Sequence, residues 1–295
     1  MAKVRLQTYG DYAWPPALGQ LYRNNGLTLA LALAGSLALF LIIVFAVYLS
    51  DSVKGISNTD NFYALISHGA MVWLFAPVFL FVVAALFFSV RRFWREISPG
   101  SKAPGAAVGE AVHDALRLKY LDGGHGEGCN NEDDRWTLWR RRFHHATFYG
   151  FALCFAATAV ATLYHYVWGM QAPYNLPSLP KLLGAVGGLG MVIGTAGLFW
   201  LHRQRHSQHG DAAQKPMDLG FIALLFTVSL SGLALWLLRG SALMPFLLAI
   251  HLGAVMALFL TLPYGKFAHG IYRSAALLKW AIEKRLPNRL QMGND

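Results

Sequence analysis

Charged residues are scarce in this chain. They make up 14% of its 295 residues, well below the roughly 25% usual for a soluble domain. With 55% hydrophobic residues and a mean hydropathy of +0.39, the composition is that of an integral membrane protein. Cysteine is nearly absent: Cys129 and Cys154 are the only two. That excludes a disulfide framework and an iron–sulfur cubane held by four thiolates, so no cluster is expected in this chain. Carboxylates are missing from the middle of the long apolar runs, Asp218 standing at a helix start. Ion-coupled transporters usually keep such groups, or broken helices, at the membrane midplane. No Ser/His/Asp set, paired carboxylates or phosphate-binding loop is visible. The stretch GGHGEGC lacks the Gly-Lys-Ser/Thr ending such a loop needs, and it reads as a turn-rich contact surface.

What the chain has is length in apolar segments. Six runs, at about 26–49, 62–90, 143–168, 181–201, 217–238 and 244–270, reach the roughly 20 residues that cross a bilayer as a helix. The expected fold is an all-α polytopic membrane bundle of six transmembrane helices. The first 25 residues are polar, and the apolar run after them is too long for a signal-peptide core, so it reads as a retained span. Five segments follow: a cytoplasmic N-terminal piece (1–25), two spans (26–90), a cytoplasmic loop (91–142), a four-helix bundle (143–270) and a cytoplasmic tail (271–295). Sorting the 25 Lys and Arg residues by side puts 22 on the face that carries both termini, against Lys54, Lys181 and Arg239 on the other. By the positive-inside rule both termini are cytoplasmic. The net charge of +10 is accounted for in the same way, and nucleic acid is not an expected partner.

The eleven histidines sort into two layers on this topology. His144, His145 and His269 fall near the inner surface, and His68, His165 and His251 near the outer one. His113, His125, His202, His206 and His209 lie in cytoplasmic segments. In the last run His251 and His269 are 18 residues apart, about five helical turns, which places both on one face about 27 Å apart. A single membrane histidine is often no more than an interhelical hydrogen-bond donor. Two layers on facing helices suit porphyrin iron, which takes one axial ligand from each side of the ring. Two such pairs would carry electrons across the membrane.

Arg140, Arg141, Arg142, Lys266 and Arg273 cluster at the inner layer. They could neutralise haem propionates, although positive-inside anchoring explains them equally well. Gly184, Gly188, Gly190, Gly194 and Gly197 give the fourth span small-residue spacings suited to close helix packing. Pro263 lacks the N–H that would bond the Phe259 carbonyl, which predicts a kink six residues before His269.

The stretch AIHLGAVMALFLTLPYGKFAHGIYR resembles the final helix of the nitrate reductase gamma subunit family, dihaem membrane cytochromes b. The resemblance implies His251 as a ligand of an outer b-type haem and His269 of an inner one. FHHATFYGF resembles that family's earlier ligand helix. Matching on Gly150 puts His145 at the inner ligand position, with His144 as the adjacent alternative. Ten residues beyond His145, where the family has its second histidine, stands Phe155. The partner of His251 is then His68 or His165. Depth favours His68, about six residues into its span as His251 is about seven into its own, and so does phase, because His165 is rotated about 200° from His145, although only about 60° from His144.

Over nearly the whole chain, YAWPPAL, FYALISHGAMVWLF, GGHGEGC, RRRFHHATFYGFALCFAATAVATLYHY and LTLPYGKFAHGIYR resemble the membrane part of the tricarballylate or citrate utilisation protein B family. The resemblance implies a multi-pass subunit of a bacterial cytoplasmic membrane. It would relay electrons from a cytoplasmic FAD-dependent dehydrogenase, through haem b, to the quinone pool. Members usually carry an N-terminal ferredoxin-like domain with cluster-binding cysteines. This chain lacks those motifs, so a separate ferredoxin-like iron–sulfur protein is an expected partner if the chain is not a truncated form. The loop 91–142 is the expected docking surface. Two other readings are a tricarboxylate transport accessory protein and a non-redox membrane anchor.

Overall fold

A computed structural model describes residues 2–54, 61–121, 137–204 and 215–287. The stretch GGHGEGC, together with His125, Cys129, His206 and His209, lies outside the described residues. Among the described residues the protein is helical, without strands. Its α-helices are α1 (Ala2–Asp11), α2 (Pro16–Leu21), α3 (Asn25–Lys54), α4 (His68–Ile97), α5 (Gly105–Leu116), α6 (Trp139–Tyr166), α7 (Leu179–Arg203), α8 (Lys215–Leu237), α9 (Met244–Thr261) and α10 (Ala268–Glu283). Six of them, α3, α4, α6, α7, α8 and α9, are long and apolar enough to cross a membrane. With 30 residues, α4 is about 45 Å long. It outruns a hydrocarbon core of about 30 Å, and its surplus carries Arg91, Arg92 and Arg95 at the basic end.

Small residues set how these helices meet. A methyl group on Gly150 of α6 would lie 2.7 Å from the Met191 backbone nitrogen and 2.8 Å from the Gly187 carbonyl oxygen. The backbones of α6 and α7 are therefore in contact, as small residues permit where no hydrophobic force joins helices. Gly194 faces Thr147, and Gly197 faces the Phe143 ring. Gly188 meets Leu233 of α8, while Gly184 is looser against Ala157. The fourth-span glycines thus form packing seams, and Gly187, which the small-residue spacing did not single out, is among the tightest. A second seam joins α3 and α9 at Gly253, where a methyl group would come within 2.9 Å of the Leu37 Cα. Hydroxyls inside the spans donate to carbonyls one turn back, Thr195 to Met191 at 2.6 Å and Ser229 to Leu225 at 2.9 Å. These two donors are thereby not left bare in lipid.

The last apolar run is not one helix. Pro263 cannot donate to Phe259, and the Leu262 N–H takes that carbonyl instead at 3.3 Å, a tighter turn that closes α9 at Thr261. A turn over residues 262–267 follows, and α10 starts at Ala268. His251 and His269 therefore ride on separate helices. The single-face spacing of about five turns does not describe them, because the proline ends the helix rather than bending it.

The N-terminal piece is also more than polar flank. Tyr9, Ala13 and Tyr22 are buried with Met217, Tyr264, Ala268 and Tyr272 in one cluster. The Trp14 N–H donates to Ser89 Oγ at 3.0 Å, and the Tyr264 hydroxyl donates to the Trp14 carbonyl at 3.2 Å. The Arg92 guanidinium donates to the Ala13 and Asp11 carbonyls. Burial pushes the Tyr22, Tyr264 and Tyr272 phenols up to about 12, so all three remain protonated. This cap holds the turn between α9 and α10 against the basic end of the bundle.

Candidate functional site: two histidine clusters

At the basic end, α6 and α10 bring two imidazoles face to edge. His144, on the second turn of α6, and His269, the second residue of α10, have ring centroids 6.1 Å apart and planes at 74°. The Nδ1 of His269 bonds the Lys266 carbonyl. A carbonyl only accepts, so Nδ1 carries the proton and Nε2 keeps its lone pair. Desolvation by burial, with the charges of Lys266, His144 and Arg273 nearby, holds His269 down at about 4, so the ring is neutral at physiological pH. A neutral imidazole tied through its far nitrogen to a carbonyl is the usual state of a metal-ligating histidine. His144 is half-buried, and its Nδ1 is buried without a hydrogen-bond partner.

A metal–imidazole nitrogen bond is about 2 Å. Adding the ring radius on each side, two imidazoles on opposite faces of one metal have centroids about 6 Å apart. The 6.1 Å separation of His144 and His269 matches that distance, so the two residues would be within reach of one metal once their ring nitrogens faced it. His145, one residue on and about 100° around the helix, instead lies beside Tyr149 with centroids 5.7 Å apart. Of the two adjacent histidines, His144 is the one brought to His269.

The basic side chains around this pair are all engaged. Lys266 Nζ makes an ion pair with Asp218 Oδ1 at 2.7 Å, with both side chains largely buried. Lys266 thus serves twice, its carbonyl orienting His269 and its ammonium tying the turn to α8. Arg141 donates to the Arg117 carbonyl at 3.0 Å, and the Arg142 guanidinium lies over Trp139 at 5.1 Å. Arg140 and Arg273 are likewise in interactions.

The opposite end is arranged differently. His68 begins α4, where the Ser67 hydroxyl caps the helix by accepting from the Ala70 N–H at 3.3 Å. Its ring stacks on that of His165 from the last turn of α6, with centroids 3.9 Å apart and planes at 19°. Tyr63 and Tyr166 stand edge-on to the His68 ring. Faces in van der Waals contact leave no room for a metal between them. The Nδ1 of His165 is buried without a partner.

His251 joins neither pair. Its Nδ1 lies 3.1 Å from the Val228 carbonyl and 3.2 Å from Ser231 Oγ. Gly232 leaves space for the ring, since a methyl group there would be 2.9 Å from Cε1. As with His269, the carbonyl places the proton on Nδ1 and leaves Nε2 as the lone-pair nitrogen. Among the described residues no ring contact joins His251 to His68 or His165. Phe155, at the position where a histidine was sought, stacks on Phe79 at 6.2 Å, and Phe79 meets Phe259 edge-on at 5.9 Å. These rings tie α4, α6 and α9 together at mid-depth.

Sequence reasoning grouped His144, His145 and His269 in one layer and His68, His165 and His251 in the other, but did not find the His68–His165 stack. It also did not find Asp218 as the partner of Lys266. The signal for the latter was present, as the lone carboxylate opening a span beside a basic turn.

The model of the family described as Citrate utilization protein B matches residues 23–289. A relative in Escherichia coli, named Citrate utilization protein B, is 56% identical over 295 residues, covering 100% of this chain and 77% of the relative. No solved structure matches the chain. A match over most of the length, and an identity far above the level at which folds diverge, settle the kinship: the chain belongs to the citrate utilization protein B family.

Proposed function

We propose that this chain is a b-type cytochrome subunit of a citrate-utilisation system. In this reading it takes electrons from a cytoplasmic FAD-dependent dehydrogenase or a ferredoxin-like iron–sulfur partner and delivers them to the membrane quinone pool. The related name supports the link to citrate, and the substrate class extends to tricarballylate and similar tricarboxylates. The observation that carries the reading is the closeness of His144 and His269, with ring centroids 6.1 Å apart and Nδ1 of His269 committed to the Lys266 carbonyl. His144 and His269 would hold haem b, which would supply a one-electron iron couple. The protein's part is to hold both imidazoles, to keep water from them through burial, and to fix the His269 tautomer. Residues 262–267 perform the last task, secured by Asp218 and the N-terminal cap.

The same reading sets the basic end, and both termini, in the cytoplasm of a bacterial inner membrane, supported by the 22-to-3 distribution of Lys and Arg. Residues near His269 then lie next to the soluble donor. At the outer end the residues do not fit a second haem held by opposed histidines, because His68 and His165 are stacked and His251 faces α8. The proposal accordingly assigns one haem.

A reduced-minus-oxidised spectrum of the purified protein, produced with ample haem, tests this. A b-type signal that is lost in His269→Ala supports it. A protein that folds but shows no haem signal overturns it, and would favour a transport accessory or a non-redox anchor. Tricarboxylate uptake by proteoliposomes would then separate those two.

A further inference from the structure

The loop expected to be a polar docking surface contains a helix with three distinct flanks. On α5, Ala107, Ala111 and Asp114 are buried, and the two alanines pack on Ala281 and Ile282 of α10, with Trp94 of α4 beside them. Taking about 100° per residue from Ala107, the apolar residues Val108, Val112 and Leu116 fall between about 100° and 180°. They are 42%, 51% and 44% exposed. Glu110, His113 and Arg117 fall between about 240° and 300°. The Glu110 carboxylate pairs with Lys284 and with Arg285, the latter at 2.7 Å. The helix thus has one flank against protein, one polar and one bare and apolar.

Its depth is fixed at both ends. Trp94, beside its packed face, lies just past Arg91 and Arg92, where α4 leaves its apolar stretch. At its C-terminus the Leu116 carbonyl accepts from the Tyr149 hydroxyl at 3.0 Å, and the Arg117 carbonyl accepts from Arg141 Nε. Tyr149 is seven residues inside Arg142 on α6, on a face where Phe148 and Tyr149 are exposed. In a helix the phenol points back towards the N-terminus, so α5 ends at the level between the arginines and the apolar stretch of α6. That is the boundary between headgroups and acyl chains.

We propose that α5 is an in-plane membrane helix, with Val108, Val112 and Leu116 seated in the acyl chains of the leaflet at the basic end. Exposed Arg117 at its C-terminus suits anionic headgroups, while Lys119 pairs with the buried Asp114 at 3.4 Å. Its polar flank, where Glu110 holds Lys284 and Arg285, is left to water. An amphipathic helix at this depth lowers its free energy with the apolar flank turned into lipid, and the ion pairs on the other flank fix that sense of rotation. α5 is thereby a membrane-seated helix whose water side alone can receive a soluble protein.

The test uses the full chain in liposomes containing phosphatidylglycerol, with single spin labels at 108, 112, 116, 106, 113 or 117 after Cys129 and Cys154 are replaced. Power saturation compares access by oxygen, which partitions into lipid, with access by a water-soluble nickel chelate. A depth parameter positive at 108, 112 and 116 and negative at 106, 113 and 117 is the expected result. A negative value at 108, 112 and 116 overturns the proposal by placing that flank in water. Low access to both reagents there overturns it too, because protein rather than lipid would cover the flank. The labelled positions are all exposed, so the fold is retained in each variant, and haem content reports separately on the electron-transfer reading.

Discussion

His144 and His269 meet with their rings 6.1 Å apart and nearly perpendicular, whereas His145, the next residue, turns away to Tyr149. This difference makes a direct prediction. His144→Ala and His269→Ala should each abolish the same b-type signal, while His145→Ala should retain it. Haem-to-protein ratio, measured by pyridine haemochrome, decides. Loss of haem in His145→Ala with retention in His144→Ala would reverse the assignment.

The largely buried pair of Asp218 and Lys266 should be worth more than a surface ion pair. Removing one partner of a fully buried pair costs about 3–5 kcal/mol, and the residual exposure here reduces that to about 2 kcal/mol. Asp218→Asn should lower the unfolding midpoint in detergent, and a Lys266→Met change added to it should cost little more. Strict additivity of the two substitutions would show that the side chains act independently.

The contact of α6 with α7 predicts a sharp contrast between glycines. Gly150→Val and Gly187→Val must push backbone apart and should each destabilise by about 1–3 kcal/mol or more. Gly35→Val, in α3, meets nothing within 4 Å and should be nearly neutral. Thermal unfolding followed by loss of helical signal checks this, and equal effects at all three positions would contradict the seam.

The clamp between α5 and α10 is acid-labile. Hydrogen bonds from Lys284 and Arg285 hold the Glu110 carboxyl below its ordinary value of 4.5. A depressed folded value means the stabilisation is fully present above about 4.5 and is lost as pH falls through the lower folded value. Hydrogen exchange in α5 should therefore rise on acidification below pH 4, and Glu110→Gln should show the raised exchange already at pH 7. Exchange in α5 that is identical in wild type and variant at pH 7 would remove Glu110 from the clamp.

The six spans were legible in the sequence because lipid forces each crossing segment to be both long and apolar, a signal that survives without any partner. The two histidine layers were legible for the same reason, since depth follows directly from position along a span. Rotation was not. Choosing His144 over His145 requires knowing where α10 sits, and α10 is placed by the packing of its Tyr272 ring on Tyr9, Tyr12 and Phe93 rather than by its own periodicity. Pro263 was visible, yet whether a proline kinks or ends a helix depends on what receives the chain beyond it. Here the cap around Tyr264 and Lys266 receives it. The N-terminal residues looked polar because charge dominates an average, while their aromatic rings do the packing.

The break after Thr261 also separates two mechanical elements. His251 belongs to a helix locked into the bundle by α3 and α8, and His269 to one that rests on α5 and α4 outside it. A protein pressing on the water side of α5 would therefore move one wall of the His144–His269 gap, with residues 262–267 as the fulcrum and α9 as the fixed post.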